Sequence, residues 1–347
     1  MNDSLGSAVL EIAEAPPAPG TAREIAPRIL WLRMPLPFAL DHINLWLIEE
    51  ADGYTLIDCG FGDATTRAHW QRHFETTFAK RPIRRIVVTH CHPDHLGNAA
   101  WLAERFRCTV TMTHGEYMAA HALIGEHTGY AQADMRALFA RHGMAAEHLE
   151  ALAARGNHYR RGVPEAPRAF VRTIGGDDIV LGGVRFRVVA GHGHSAEHAA
   201  LANAEERVLI SGDMLLPRIS TNVAVGPAEP DADPVARFLD SIAAFLALPP
   251  DTLVLPSHGP PFRGIGARVA QLRAHHAARL DELHRHLAVA GTPRSAHDVI
   301  PVLFRRQLDV HQRFFAIGEA IAHLNHLWHA GRAKRHVARD GAIRFTA

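Results

Sequence analysis

The stretch Thr89–Asn98, THCHPDHLGN, places three histidines and an aspartate within six positions, directly after the apolar run RRIVVTH. Imidazole and carboxylate are ligands for zinc, iron and manganese. A hydrophobic core has no use for four such side chains in one turn. Pro93 keeps the segment from simply continuing as a strand, so His90, His92, Asp94 and His95 splay from a loop at a strand end. Four donors exceed what one catalytic ion with an open position needs. They suit two ions sharing a loop.

Further donors recur at later strand ends. VVAGHGHSAEHAAL supplies His192, His194 and His198; VLISGDMLLP supplies Asp213; LVLPSHGPP supplies His258. Each lies just past an apolar run, in a loop containing Gly or Pro. A lone histidine at a strand end is ordinarily structural. This recurrence argues for one centre assembled from several loops, whereas the histidines of helical stretches (His275, His276, His284, His286) read as solvated.

The elements that must position these residues are short. Strand-like runs occur at 28–34, 43–50, 54–58 and 84–90, with helical stretches at 64–80 and 96–106 and a further strand at 108–113. Such interleaving indicates strands and helices in layers. Residues 115–155 break the rhythm with three helical segments separated by glycines, an insertion extending to about 165. Strands resume at 169–174, 178–181, 184–190, 197–203, 207–211 and 252–256, with a helix over 232–248. Beyond Pro261 come a long helix (264–290), two more (295–306 and 308–330) and a hairpin with an Asp-Gly turn (333–345). Helix, helix, helix, hairpin is a winged-helix-like order. The predicted organisation is a flexible lead-in over 1–24, a catalytic domain over 25–265 and a C-terminal helical domain over 266–347.

At this point the chain is similar to the metallo-β-lactamase superfamily, over roughly residues 25–265. IDCG (57–60) resembles the first motif of that family, HCHPDH the His-x-His-x-Asp-His motif, GHSAEH its Gly-His-Thr-x-x-His motif, and SGD and PSHG the last two. The resemblance implies a four-layer αββα sandwich of α+β class. It implies one ion on His90, His92 and His194, a second on Asp94, His95 and His258, and Asp213 bridging them. It favours His194 over His192 as the ligand. Asp58 and His198 are expected behind the ligands, since carboxylates commonly orient ligating histidines. Asp94 is the expected catalytic carboxylate. Cys91 occupies a spacer position.

The expected cofactors are two divalent ions, zinc first, with iron or manganese as alternatives. The expected activity is hydrolysis of a small ester-like bond by hydroxide bridging the ions. A thioester resembling hydroxyacylglutathione or an acyl-CoA is the first reading. A lactonase and a metal-dependent ribonuclease or phosphodiesterase are the alternatives. A ligand-binding module without activity is disfavoured by the complete ligand set. Candidate substrate contacts are Tyr117, Tyr159 and Arg161 in or beside the insertion, and Arg218 and Asn222 after the bridging aspartate.

Composition narrows the partners. Among 347 residues, 47% are hydrophobic and 21% charged, with a net charge of +1, so no strongly polyanionic partner is implied globally. The tail carries Arg332, Lys334, Arg335, Arg339 and Arg344. Nucleic acid therefore stays as the second partner class, behind a small molecule. Three cysteines without regular spacing give no disulfide framework. No apolar run approaches a membrane span, and the N-terminus does not read as a signal peptide. The expectation is a cytoplasmic protein that can pair into a homo-oligomer through the apolar face of 314–331.

Overall fold

The computed structural model describes residues 8–347. The first half contains β1 (Leu10–Glu11), β2 (Arg23–Ala26), β3 (Ile29–Pro35), β4 (His42–Glu50), β5 (Gly53–Ile57), α1 (Ala64–Glu75), β6 (Ile83–Val87), α2 (Pro93–Leu96), α3 (Ala99–Phe106) and β7 (Thr109–Thr113). Helices α4 (His114–Gly125), α5 (Gln132–Arg141), α6 (Ala146–Ala154) and α7 (His158–Gly162) follow. Then come β8 (Val171–Thr173), β9 (Asp178–Leu181), β10 (Val184–Gly191), β11 (His198–Asn203), β12 (Val208–Gly212), α8 (Pro234–Ala243), β13 (Leu253–Pro256) and β14 (Phe262–Arg263). The chain finishes with α9 (Ile265–Ala290), α10 (Ala296–Leu303), α11 (Val310–His329), β15 (Lys334–Val337) and β16 (Ile343–Thr346).

Two seven-stranded sheets form the middle, ordered β2-β3-β4-β5-β6-β7-β8 and β1-β14-β13-β12-β11-β10-β9. Their strands read as continuous apolar runs because both faces are buried. The two-residue period decides which core each side chain enters. Along β3 and β4, Trp31, Trp46 and Ile48 join Leu201, Ile210 and Leu255 of the second sheet in a core between the sheets. Their neighbours Leu32, Met34, Leu45 and Leu47 face outward to Trp70, Leu102 and Ala120 on α1, α3 and α4. In the second sheet Leu209 and Val254 pack outward against Phe238, Leu272 and Ile321 on α8, α9 and α11. The layers are therefore helix, sheet, sheet, helix, as the resemblance implies. Strands β5 to β8 pair in parallel, as do β12 and β13, so successive loops leave at the same end of each sheet.

Local sequence explains several element ends. Asp63 caps α1 by accepting from Thr66 N. Capping boxes open α10 (Ser295 with Asp298) and α11 (Asp309 with Gln312). The helix, helix, helix, hairpin order of the C-terminal segment is the order observed.

Two expectations are corrected. The lead-in over 1–24 lies partly outside the described residues, but the described part is not loose throughout. Leu10–Glu11 pairs with Phe262–Arg263, and Ile12 N donates to the Pro261 carbonyl at 2.8 Å. The reason is the open backbone edge of β14, which β1 satisfies. His276, read above as solvated, is 1% exposed, because α9 packs against α11 and brings its Nδ1 to 3.2 Å from His323 Nε2. Among the described residues, no helix is long and apolar enough to cross a membrane.

Candidate metal centre

The centre is built where strand ends of the two sheets meet. β6 delivers Thr89 and His90, and Ala199 N of the facing sheet donates to the Thr89 carbonyl at 2.8 Å. Pro93 stands at the first turn of α2, whose tight winding brings His95 back beside His90, ring centroids 3.9 Å apart, and Asp94 beside His95. β12 ends at Gly212, in left-handed conformation (φ 54°). A Cβ there would lie 2.2 Å from His198 Nε2, so only glycine permits the turn that presents Asp213.

The reactive atoms converge. His194 Nε2 lies 3.2 Å from His90 Nε2 and 3.4 Å from Asp213 Oδ2. His95 Nε2 is 3.5 Å from Asp213 Oδ1 and 3.6 Å from Asp94 Oδ2. His258 Nε2 is 3.4 Å from Asp213 Oδ1 and 3.3 Å from Asp94 Oδ2. Within 4.8 Å of one another lie donor atoms of His90, His92 and His194, of His90, His95 and Asp213, and of Asp94, His95 and His258. His92 packs edge-on to both His90 and His194, with ring centroids 4.5 and 4.6 Å away.

The opposite ring nitrogens are anchored. His95 Nδ1 donates to Asp58 Oδ2 (2.7 Å), His194 Nδ1 to the Asn222 carbonyl (2.8 Å) and His258 Nδ1 to the His42 carbonyl (2.8 Å). His90 Nδ1 lies 3.1 Å from Thr89 Oγ1. Such anchoring fixes the tautomer that leaves the Nε2 lone pair facing inward. Asp58 also accepts from Thr89 N (2.8 Å) and Thr89 Oγ1 (2.9 Å), and it adopts a positive φ of 61°, which is costly for a non-glycine residue.

The electrostatics call for a cation. Burial alone would lower His258, but Asp213 and Asp94 push it up to about 10. Burial opposes His95 likewise, yet Asp58, Asp94 and Asp213 hold it well above the usual histidine range. His90 is driven far down by burial and by its neighbours His95, His92 and His194. Burial would raise Asp213, but His258 and His95 hold it well below the carboxylate range. Without a cation, protons on two imidazoles must balance the buried carboxylates. Divalent ions can replace those protons, as metal binding at such donor sets generally does. Buried Nε2 of His95, Nε2 of His258 and Oδ1 of Asp213 have no hydrogen-bond partner among the described residues, so the donor set fits the ions.

The remaining predicted residues distribute as follows. His198 is buried and its Nε2 accepts from Asp213 N at 3.2 Å, behind the cluster. His192 is exposed and bonded to the Ala196 carbonyl, apart from the converging atoms. Tyr159 donates to the Cys91 carbonyl at 2.6 Å, and Tyr117 to the Arg168 carbonyl at 3.0 Å. Arg161 donates to the Arg155 carbonyl at 2.9 Å. Arg218 pairs with Glu11. Asn222 is bound at its backbone to His194 and at its side chain to Glu319 (3.1 Å). These five candidate substrate contacts thus all have partners within the chain.

Asn44 was not among the expected residues. It is 1% exposed in β4, accepts from Trp31 Nε1 (2.9 Å) and donates to the carbonyls of Pro256 (3.0 Å) and Gly259 (2.7 Å). It therefore pins the loop that carries His258. Its one signal is an amide inside the apolar run INLWLI.

Residues 39–258 match the family model described as metallo-beta-lactamase superfamily, and residues 280–347 that described as metallo-beta-lactamase-like, C-terminal domain. The chain is similar to a beta-lactamase domain protein from Burkholderia ambifaria, at 45% identity and TM-score 0.89, covering 97% of this chain and 98% of that one. A metallo-beta-lactamase family protein from Thermus thermophilus is 28% identical with TM-score 0.77, covering 93% and 99% respectively. The probable metallo-hydrolase YqjP of Bacillus subtilis is 22% identical over 305 residues, 86% of this chain and 91% of that protein.

Proposed function

The chain belongs to the metallo-β-lactamase superfamily and is a metal-dependent hydrolase; from that premise we propose that it cleaves a small ester-like bond, a thioester in the first instance. His90, His92 and His194 would hold one divalent ion and Asp94, His95 and His258 the other, with Asp213 shared between them. Zinc is the ion proposed first, with iron or manganese as alternatives, since imidazole and carboxylate donors accept all three. Bound there, such ions supply a Lewis acid for the substrate oxygen and lower the pKa of water towards neutrality.

The chain's own residues supply the rest. Asp94, 13% exposed at its side chain, is the carboxylate that orients the attacking water and takes its proton. Asp58 keeps His95 turned inward by holding the proton on Nδ1. Cys91 does not compete as a nucleophile: burial, then the neighbouring Glu116, push its thiol far above its usual range, so it stays protonated.

The observation that supports the thioester reading is that, apart from Asp94, the acids flanking the donor loops are already engaged within the chain. The Tyr159 hydroxyl is committed to the Cys91 carbonyl and His42 Nε2 accepts from Gly259 N. A thiolate, whose conjugate acid has a pKa of about 8.5, can leave unprotonated near neutral pH. An alkoxide leaves far less readily without a proton. The nucleic-acid alternative is weakened because Arg332 pairs with Asp281 (2.7 Å) and Arg335 with Asp231 (2.9 Å), the latter guanidinium also lying over Trp328.

The test is a parallel assay of metal-replete protein on lactoylglutathione, an acyl lactone, bis-p-nitrophenyl phosphate and single-stranded RNA, with His90→Ala and Asp213→Ala controls. Thioester turnover that disappears in both controls supports the reading. Cleavage of RNA or phosphodiester alone replaces it with the alternative.

A further inference from the structure

Glu116 is a charged side chain at 0% exposure, in the first turn of α4. No reacting group touches it, and nothing in the local sequence marks it. Its two carboxylate oxygens accept from two loops that are far apart in the chain. Oε2 accepts from Cys91 N at 2.8 Å, and Oε1 accepts from Glu197 N at 2.6 Å. Cys91 is the residue between His90 and His92. Glu197 lies three residues after His194.

The contact is reinforced from both sides. Glu197 returns the interaction: its Oε2 accepts from Gly115 N (3.0 Å) and its carbonyl from Thr113 Oγ1 (2.7 Å). A Cβ on Gly115 would meet Glu197 Cβ and Oε2 at 3.1 Å, so the close approach of α4 favours glycine. On the other side of Cys91, Tyr159 donates to its carbonyl at 2.6 Å. The residue separating the two histidines is thereby held at its N–H by Glu116 and at its C=O by Tyr159. An anionic side chain in the first turn of a helix also meets the favourable end of the helix dipole.

We infer that Glu116 is a positioning residue that sets the separation between the His90–His92 turn and the His194 loop, and so the geometry of one ion's donors. The inference rests on the proposed reading of His90, His92 and His194 as donors to a single ion. A carboxylate accepts at both oxygens, so it alone can join two backbone N–H groups without carrying a donor. An amide of the same shape turns one NH2 towards a backbone N–H, which opens one of the two contacts. Outer groups of this kind typically change metal affinity 10–100-fold when altered. The helical insertion thus contributes to the metal centre through the start of α4 and through Tyr159, from outside the two sheets.

The experiment compares parent, Glu116→Gln, Glu116→Asp and His90→Ala by competition with a chromophoric zinc chelator, with melting temperature followed in parallel. In Glu116→Gln one of the two zinc constants weakens by about 10–100-fold while the other stays at the parental value. A purely structural role would lower the melting temperature and leave both constants of the folded protein unchanged; that result overturns the inference. Should Glu116→Gln fail to fold, Glu116→Asp decides in the same way. It keeps the charge but spans only one of the two contacts, so selective weakening of one zinc supports the inference and parental constants overturn it. His90→Ala separates the two readings. If it retains both zinc ions at parental affinity, the ligand assignment is at fault, whatever Glu116 does.

Discussion

Asp58 Oδ2 stands 2.7 Å from His95 Nδ1, and both side chains are almost wholly buried. The pair lies behind the donor cluster, with His95 Nε2 turned towards Asp94 and Asp213. Asp58→Asn replaces an acceptor of three hydrogen bonds by an amide that can accept at only one atom. The expected outcome is a 10–100-fold loss of metal affinity with the fold retained. Chelator competition measures it, and parental affinity would show that His95 needs no anchor.

Asn44 ties β3, β4 and the His258 loop together. Asn44→Ala leaves Trp31 Nε1 without its acceptor and the Pro256 and Gly259 carbonyls without their donor. Orphaning a buried donor costs about 1–3 kcal/mol, and the cavity adds to it. Urea unfolding of the variant is expected to show a loss of about 2–4 kcal/mol. A loss within about 0.5 kcal/mol, the range of an ordinary surface change, would mean that the loop is held by other contacts.

Acid should unfold the protein early. His73, His142 and His323 are buried and held down to about 4, and His276 to about 3, with burial the largest cause in each. Their folded pKa values lie below the unfolded value of 6.5, so stability present above pH 6.5 is lost as pH falls towards 4. His142 alone is worth up to about 3 kcal/mol over that window. His142→Phe, which can keep a ring against Phe345, is expected to lower the acid-unfolding midpoint followed by circular dichroism. An unchanged or higher midpoint contradicts this.

Glu319 has the opposite sign. Burial pushes its carboxyl from 4.5 up to about 7, against the hydrogen bond from Asn222 and the charge of Arg279. The folded state therefore keeps a proton that the unfolded chain has already released. Stability fully present below pH 4.5 is lost as pH rises through about 7, by at most about 3 kcal/mol. Partial exposure of the side chain reduces that figure. Glu319→Gln mimics the protonated form, so its stability relative to parent should be greater at pH 8 than at pH 5. Equal differences at both pH values in urea melts would rule the account out.

Much of this was legible in the residues themselves. Apolar runs bounded by Gly and Pro marked β3 to β6 and β10 to β13, and the donors just past them marked the centre. What local pattern could not reveal was the support behind the donors. Asn44 and Pro256 are 212 positions apart, and Glu116 looks like any acidic residue at a helix start. Whether such a side chain faces water or a buried loop depends on the packing of the layers. The short pairing of β1 with β14 was hidden for a similar reason, since two residues carry no periodicity.

The central claim is that one cage of seven side chains works with two ions on a small ester-like bond. The most direct measurement titrates metal-free protein with zinc while following the initial rate of thioester hydrolysis. The account predicts a rate that continues to rise until about two equivalents per chain are bound. Saturation at one equivalent, or no turnover once two are bound, would contradict it.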